Sequence, residues 1–465
     1  MYLANKKFTK NKSIKMATKL NFTFIQTLVL ILGCCAYMLI FFYRYTPTVL
    51  TKQLSEALNV PEDKISIFGS MYFWTYAVMQ PIGGVLGDVI SPGKMIALFT
   101  IISGIGSITM GQSSNFILSC AARCLVGIGC GPIFVPVTRI LANWYSPRGY
   151  ALANGILLAM GSVGGCLAQG PLSSLCEIID WRWAFRLSTI VGVIVAVLCF
   201  FLLKTKPADF GFDEYENLDN KPINAHNFSS VDASEGAYGG KVSVFGQLIK
   251  NLGIVLRTPQ FYVFVVWDLF SPPTFYNLTA LWASRYLQDV MMIEKKSADY
   301  MILILSLAMI IGSPLWPFLS NIFHSRRWVL FASTLIGFLC SLAFVFIRKN
   351  IGTVLVLILL FLFAAGSNAN ITIVNALVKE TNHATAATML GCANFFPFFA
   401  TGLLQIASPE LIHLADGDWS KPGHSPRAYA LGLWLPNAIF TGIAVVASIF
   451  IKETYGKKPE VTTYN

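Results

Sequence analysis

Apolar runs alternate along the whole chain with short segments that carry charges, proline or glycine. A membrane-spanning helix needs ~20 consecutive apolar residues, and the runs meet that length about a dozen times. Breaks at charges, proline and glycine predict six helices in the first half, at residues 22–46, 65–87, 95–112, 115–141, 150–175 and 184–203. Six more are predicted at 260–284, 299–321, 328–347, 353–377, 386–406 and 428–451. Between the two sets lies the longest polar stretch, holding Asp209, Asp213, Glu214, Glu216 and Asp219 among Asn, Ser and Gly, which has the composition of a partly disordered linker. The expected organisation is a six-helix bundle with a basic tail over 1–203, a cytosolic linker over 204–258, and a second six-helix bundle with a short tail over 259–465.

Composition agrees with a chain that lives in a bilayer. Of its 465 residues 55% are hydrophobic and only 12% charged, and the mean hydropathy is +0.61, too apolar for a soluble globular protein. The formal net charge of +11 does not point to nucleic acid, because the basic residues sit in loops and at the N-terminus rather than on an aromatic-interleaved face. They sort instead as topology signals. Lys6, Lys7, Lys10, Lys12, Lys15, Lys19, Lys94, Arg148, Arg326, Arg327, Lys379, Lys452, Lys457 and Lys458 all fall on one side of a twelve-helix count. The acids Glu56, Glu62, Asp63, Glu177, Asp180, Asp289, Glu294, Asp416 and Asp418 fall on the other. Both termini are therefore expected in the cytosol, with the chain in a cytoplasmic or plasma membrane and in contact with lipid. Residues 22–43 resemble a signal sequence but are too long for one and lack a small-x-small site, so they read as a retained first helix.

The chemistry the sequence lacks narrows the function further. The ten cysteines lie almost wholly in apolar runs without a CxxC pair and read as packing residues. All five histidines fall in predicted loops or helix ends, and there is no HExxH, nucleophile elbow or GxxxxGK[ST]. No cofactor, metal or enzymatic activity is expected, nor ATP-driven transport, and the chain is expected to be a monomer. The sequons at Asn277 and Asn370 lie inside predicted helices, out of reach of glycosylation.

Several motifs carry a resemblance. Gly83, Gly84 and Gly87 stand at small-xxx-small spacing, which lets one helix approach another closely in lipid. With Asp88 and Lys94 they resemble the signature loop of the major facilitator superfamily of secondary transporters. Arg123 to Pro132 resembles that family's Arg-x-x-x-Gly-x-Gly-x-Gly run, Asn143 to Ala151 its following cytosolic loop, and Gly161, Gly164, Gly165 and Gly170 its glycine-rich fifth helix. Pro317 to Asn321, followed by Arg326 and Arg327, is a weak second copy of the signature loop with Asn321 in place of Asp88. The resemblance implies an all-α membrane protein of twelve transmembrane helices in two pseudo-symmetric six-helix bundles, with a solute site between them. Within the superfamily, Phe41 to Pro47, Met71 to Pro81 and Asn375 to Glu380 are similar to bacterial solute permeases, including phagosomal amino-acid transporters. Arg44 and Lys206 to Gly211 resemble the organophosphate:phosphate antiporters, although the position of that family's second arginine falls here near Tyr276.

A charge inside a membrane helix costs a few kcal/mol or more and is by default a functional hypothesis. Arg44 follows some twenty uncharged residues and reads either as a forked anchor for a carboxylate or phosphate or as a snorkelling helix-end arginine. Arg123 reads as a packing or proton-linked residue. Asp268, about nine residues into the seventh helix, either pairs with a base or carries a proton, and both serve proton coupling; in a shorter helix it would lie at the surface. Ser271, Pro272 and Pro273 beyond it are expected to break the helix and free carbonyls. Asn368, Thr372, Asn375 and Lys379 share one face of the tenth helix. Asn154, Gln169, Asn277 and Asn394 are further polar candidates, with Tyr72, Tyr76, Trp267, Trp282 and Tyr276 as walls. Gly84, Gly87, Asp88, Lys94 and Arg148 are the expected gate, with Asp88 facing the N-terminal end of the eleventh helix near Asn382 to Thr385.

The function expected is secondary transport of a small polar organic solute, an amino-acid-like zwitterion or organic anion, coupled to protons or to exchange. An organophosphate or sugar-phosphate antiporter is one alternative, and a non-transporting solute receptor of the same fold is another.

Overall fold

The computed structural model describes residues 2–61, 64–145, 147–212, 244–347, 351–381, 385–416 and 424–455; within them the side chains of 2–21, 84–85, 87–89, 147–148, 151, 244–250 and 386–387 are outside the description. There is no strand among the described residues. Ten of the helices are long and apolar enough to cross a membrane, and the bent pair Asn251–Arg257 and Pro259–Asp289 adds an eleventh. Ile65–Val89, 25 residues long, makes the twelfth. The protein is an all-α membrane protein with twelve transmembrane helices in two six-helix bundles.

We label the crossings in chain order: α1 Tyr2–Leu58, α2 Ile65–Val89, α3 Pro92–Gln112, α4 Phe116–Trp144, α5 Pro147–Leu167 continued by Gly170–Ile178, and α6 Arg182–Leu202. The second set is α7 Pro259–Asp289, α8 Lys295–Ile322, α9 Arg327–Phe346, α10 Thr353–Thr381, α11 Thr388–Asp416 and α12 Pro426–Ile449. In the first bundle α3 packs on α4 and α6, α1 on α5, and α2 on α4; in the second α9 packs on α10 and α12, and α8 on α10. Contacts between the bundles run along α2 with α11, α5 with α8, and α1 with α7.

Two elements depart from their predicted bounds for physical reasons. α1 continues past residue 46, through Pro47, to Leu58. Beyond Pro47, Thr48, Val49, Leu50, Leu54 and Leu58 are all buried, and the packing of this stretch on α7 repays the hydrogen bond that proline removes. In α7, Pro272 and Pro273 interrupt the helix only at Ser271, which keeps right-handed helical dihedrals. The prolines occupy the first turn of the next segment, where their missing N–H groups would have no intrahelical acceptor. The large bend, 82°, lies instead just before Pro259. The expected linker lies mostly outside the described residues, but its end, Val244–Arg257, is helical.

Glycine sets the closest approaches. A Cβ on Gly127 would collide with Tyr72 and Thr75 of α2, and one on Gly402 of α11 would collide with the Trp74 indole across the bundle interface. In lipid, where helix association rests on such packing, these positions hold the helices at working distance.

Candidate functional site

Arg44 of α1 is 1% exposed at the junction of the two bundles. Its guanidinium carbon lies 4.7 Å from the ring centre of Phe41, 5.7 Å from Tyr72, 4.8 Å from Tyr76, 5.2 Å from Tyr276 and 5.0 Å from Phe398. The rings come from α1 and α2 of the first bundle and from α7 and α11 of the second. They also hold one another: Tyr72 stacks on Tyr76 at 5.5 Å, Tyr76 meets Phe398 edge-on at 4.5 Å, and Tyr276 meets Phe398 at 5.2 Å. Arg44 Nε donates to the Tyr72 hydroxyl over a long 3.5 Å. No acidic side chain among the described residues pairs with it. A guanidinium can accept this burial because ring faces attract cations, yet its N–H edges remain suited to an anion that no described side chain supplies.

Arg123 of α4 is a different kind of arginine. Its Nη1 donates to the Tyr43 carbonyl at 2.6 Å and its Nη2 to the Arg44 carbonyl at 3.0 Å. In an α-helix the Tyr43 carbonyl would accept from the N–H four residues on, which in this chain is Pro47 and does not exist. Arg123 therefore fills the acceptor that Pro47 leaves open and fixes the turn of α1 that carries Arg44. It lies 4.6 Å from the Tyr72 ring centre, on the same ring that Arg44 faces.

The other predicted residues spread over distinct sites. Asp268 is 2% exposed with no hydrogen-bond or ion-pair partner among the described residues. Trp267 is fully buried and donates to Thr334 of α9 at 3.1 Å, inside the second bundle and away from the Arg44 cage. Trp282 is likewise packed inside that bundle, edge-on to Tyr429. On α10, a π-helical turn over Ala365–Ala369 displaces the polar stripe. Asn368 contacts Met309 Sδ at 3.3 Å and Thr372 donates to the Ser313 carbonyl at 3.0 Å, so both face α8, while Asn375 is half-buried. Lys379 stands 5.7 Å from the ring centre of Tyr150, joining α10 to the start of α5. Lys94 is exposed, and the side chains of Gly84, Gly87, Asp88 and Arg148, with residues 382–384, lie outside the described residues.

One residue that the sequence reading passed over is Asp299, in the first turns of α8. It is 0% exposed and accepts from Ser173 of α5 at 2.6 Å and from Ser284 of α7 at 2.5 Å. Ser173 belongs to the first bundle, so the carboxylate ties the bundles together at the end where α1 finishes. Around it, Ser174 bonds Tyr300 at 3.0 Å, Lys296 pairs with Glu177 at 2.6 Å, and Thr48 donates to the Ala280 carbonyl at 2.8 Å. An acid inside a predicted apolar helix was the available signal; placing the helix start at residue 299 made it look like an end.

A family model described as Major Facilitator Superfamily matches residues 30–404. The chain belongs to the Major Facilitator Superfamily. It is 22% identical over 304 residues, 65% of this chain and 67% of the relative, to a probable sulfoacetate transporter, SauU, of Cupriavidus necator. A probable hexose phosphate transport protein of Chlamydia pneumoniae is 22% identical over 50% of this chain and 52% of its own, so the match spans about half the length of that relative. A hexuronate transporter of Bacillus subtilis is 23% identical over 34% of this chain and 37% of its own. Among solved structures, a bacterial homolog of the human lysosomal transporter Spinster, inward-facing and unoccupied, superposes with a TM-score of 0.64 at 18% identity, covering 92% of this chain and 96% of that one. The nucleoside transporter NupG gives 0.67 at 12% identity, over 91% and 99%. At these identities the structural likeness shows the fold.

The second-half counterpart of the facilitator signature loop has acids, drawn from elsewhere in the chain. Asn321 stands where the first half has Asp88, and Arg326 Nη1 donates to its side chain at 2.9 Å. The same guanidinium pairs with Glu380, at the end of α10, at 3.1 Å. Glu453, beyond α12, accepts from the Ser325 hydroxyl and from the backbone N–H groups of Arg326 at 2.9 Å and Arg327 at 3.2 Å, capping α9. Partial burial works to raise the Glu453 pKa, but these hydrogen bonds, with one from the Tyr455 N–H, outweigh it and hold the carboxyl below its usual value.

Proposed function

We propose that this facilitator carries a small organic anion across its membrane by alternating access, with Arg44 binding the anionic group midway between the bundles and Asp268 carrying the coupled proton. The observation that carries the reading is Arg44 itself: a guanidinium 1% exposed, caged by rings from both bundles, without an acidic partner among the described residues. A buried cation without a counter-charge is costly, and an incoming carboxylate, sulfonate or phosphate removes that cost by forming charge-assisted hydrogen bonds. Because the rings come from both bundles, binding there couples the two halves, as alternating access requires.

The relatives named for sulfoacetate, hexose phosphate and hexuronate all take organic acids, which supports an anionic substrate. Asp268 supports proton coupling because an unpaired carboxyl in such a place is stable only in its neutral form, and exchange with water in another conformation would release the proton. The polar layer around Asp299 serves in this reading as the outer closure, with both chain termini in the cytosol.

Uptake of organic acids into proteoliposomes, with and without an inward proton gradient, tests the proposal. The expected result is gradient-stimulated uptake that Arg44→Ala abolishes while the protein still elutes as a folded species. Uptake unchanged in Arg44→Ala, or binding of solutes with no flux for any of them, would overturn it.

A further inference from the structure

We infer that the Arg44 cage selects organic monoanions, a single carboxylate or sulfonate head on a flat apolar body, over α-amino acids and over doubly charged phosphates. The inference rests on the reading of Arg44 as the anion anchor and adds which anions fit. Four features of the cage carry it.

The number of anion-binding heads is one. Two guanidiniums lie near Tyr72, but both terminal nitrogens of Arg123 are spent on the carbonyls of Tyr43 and Arg44. Arg44 is the guanidinium caged by rings from both bundles, while Arg123 is held to the α1 backbone with only its buried Nε left over, and one guanidinium fork matches one carboxylate or sulfonate edge. A second anionic group on the same substrate would be buried against ring faces, which repel anions as they attract cations.

The walls suit a flat apolar body. Phe41 and Phe398 have no polar atom, and both lie within 5.0 Å of the Arg44 guanidinium carbon. Phe398 is itself clasped by Tyr76 and Tyr276 at ring separations of 4.5 and 5.2 Å. An inserted planar body would exchange these ring contacts for equivalent ones, at little cost in packing.

A substrate ammonium has no acid to meet among the described residues around the cage. The α-ammonium of an amino acid sits one carbon from its carboxylate and would face the Arg44 guanidinium. The buried acid on the wall helix, Asp268, lies eight residues before Tyr276, about 12 Å along the axis at 1.5 Å per residue and beyond its reach.

The phenols complete the selection. The Tyr72 hydroxyl accepts from Arg44 Nε at 3.5 Å, and the phenol rings of Tyr76 and Tyr276 lie 4.8 and 5.2 Å from the guanidinium carbon. A phenol donates to one carboxylate oxygen as readily as it accepts from arginine, so they satisfy the lone pairs of a single head without adding charge for a second.

The test is equilibrium binding to purified full-length protein, with phenylacetate, benzenesulfonate, acetate, L-phenylalanine, sulfoacetate and glucose 6-phosphate as probes. Phenylacetate and benzenesulfonate are expected to bind at least about tenfold more tightly than the other four, and Arg44→Gln to abolish their binding. Phe398→Leu keeps an apolar side chain and is expected to cancel the advantage of phenylacetate over acetate; a persisting advantage would overturn the inference, and this holds even if Arg44→Gln does not fold. Equal or tighter Arg44-dependent binding of sulfoacetate, glucose 6-phosphate or L-phenylalanine would overturn the monoanion inference; for the two acids it would leave anion transport intact. Failure of every anion to bind, or binding that survives in folded Arg44→Gln, would overturn both readings.

Discussion

Arg123 and Tyr43 are joined by a 2.6 Å hydrogen bond from a guanidinium on α4 to a main-chain carbonyl on α1. The bond exists because Pro47, four residues after Tyr43, has no N–H to offer. The family's arginine at the start of the Arg-x-x-x-Gly-x-Gly-x-Gly run thus acts here as a positioning residue: it holds the turn of α1 from which Arg44 projects.

Removing this arginine should cost stability and restoring the helical N–H should return it. Arg123→Met leaves the buried carbonyl of Tyr43 without a donor, a loss of about 1–3 kcal/mol. Pro47→Ala supplies the missing N–H, so the double variant should be less destabilised than the sum of the singles. Thermal unfolding of the four proteins in one detergent measures this, and strict additivity would argue that Arg123 and Pro47 act independently.

Asp299 should bias the protein toward the state closed at the end of the molecule where α1 finishes. Asp299→Ala strands the buried hydroxyls of Ser173 and Ser284, at a cost of about 1–3 kcal/mol in the closed state, enough to shift a near-balanced equilibrium several-fold. A cysteine placed at Thr279 in a background without the ten native cysteines reports it: labelling by a membrane-impermeant maleimide should speed up. Unchanged labelling would leave Asp299 a packing residue.

Asp268→Asn should separate coupling from carriage. The amide keeps the shape of a protonated carboxyl but cannot release a proton, so exchange between loaded and unlabelled solute should persist while the response of net uptake to a proton gradient disappears. Retention of that response would move the coupling role elsewhere.

Glu453 predicts a pH dependence of stability with a defined sign. Its folded-state pKa is held below the ordinary glutamate value of 4.5, so the cap on α9 is fully present above that value and is lost as pH falls through the lower folded-state value. Glu453→Gln should therefore lower the unfolding temperature at pH 7, with a difference from the native protein that shrinks as the pH is taken below 4.5. The carboxylate is only partly buried, and the effect should be correspondingly modest.

Read from the sequence, the helices were legible because a bilayer imposes one simple demand, about twenty apolar residues per crossing, and the charges between them sorted by side. The signature loop and the glycine run were legible because they are local. Arg44 and Asp268 were legible as candidates because charge inside an apolar run is conspicuous.

What the sequence could not supply is which face of each helix points inward. In a soluble protein a polar stripe marks the outside, but here the lipid-facing and core-facing positions are equally apolar: Val354 and Phe201 are exposed while Val356 and Cys199 are buried. Trp267 and Tyr276 therefore looked alike as cavity walls, whereas the fold turns Trp267 toward Thr334 and Tyr276 toward Arg44. Asn368 and Thr372 share a face as their spacing requires, yet only the packing of α8 on α10 decides that the face meets Met309 and Ser313. Phe398 stands more than 350 residues from Arg44 in the chain, and no periodicity relates them. The sequence by itself determined that this chain crosses a membrane twelve times and belongs among the facilitators; tertiary structure alone decided that five rings from four helices close on one arginine, because in lipid the choice of inward face rests on shape, and shape is settled only when the helices meet.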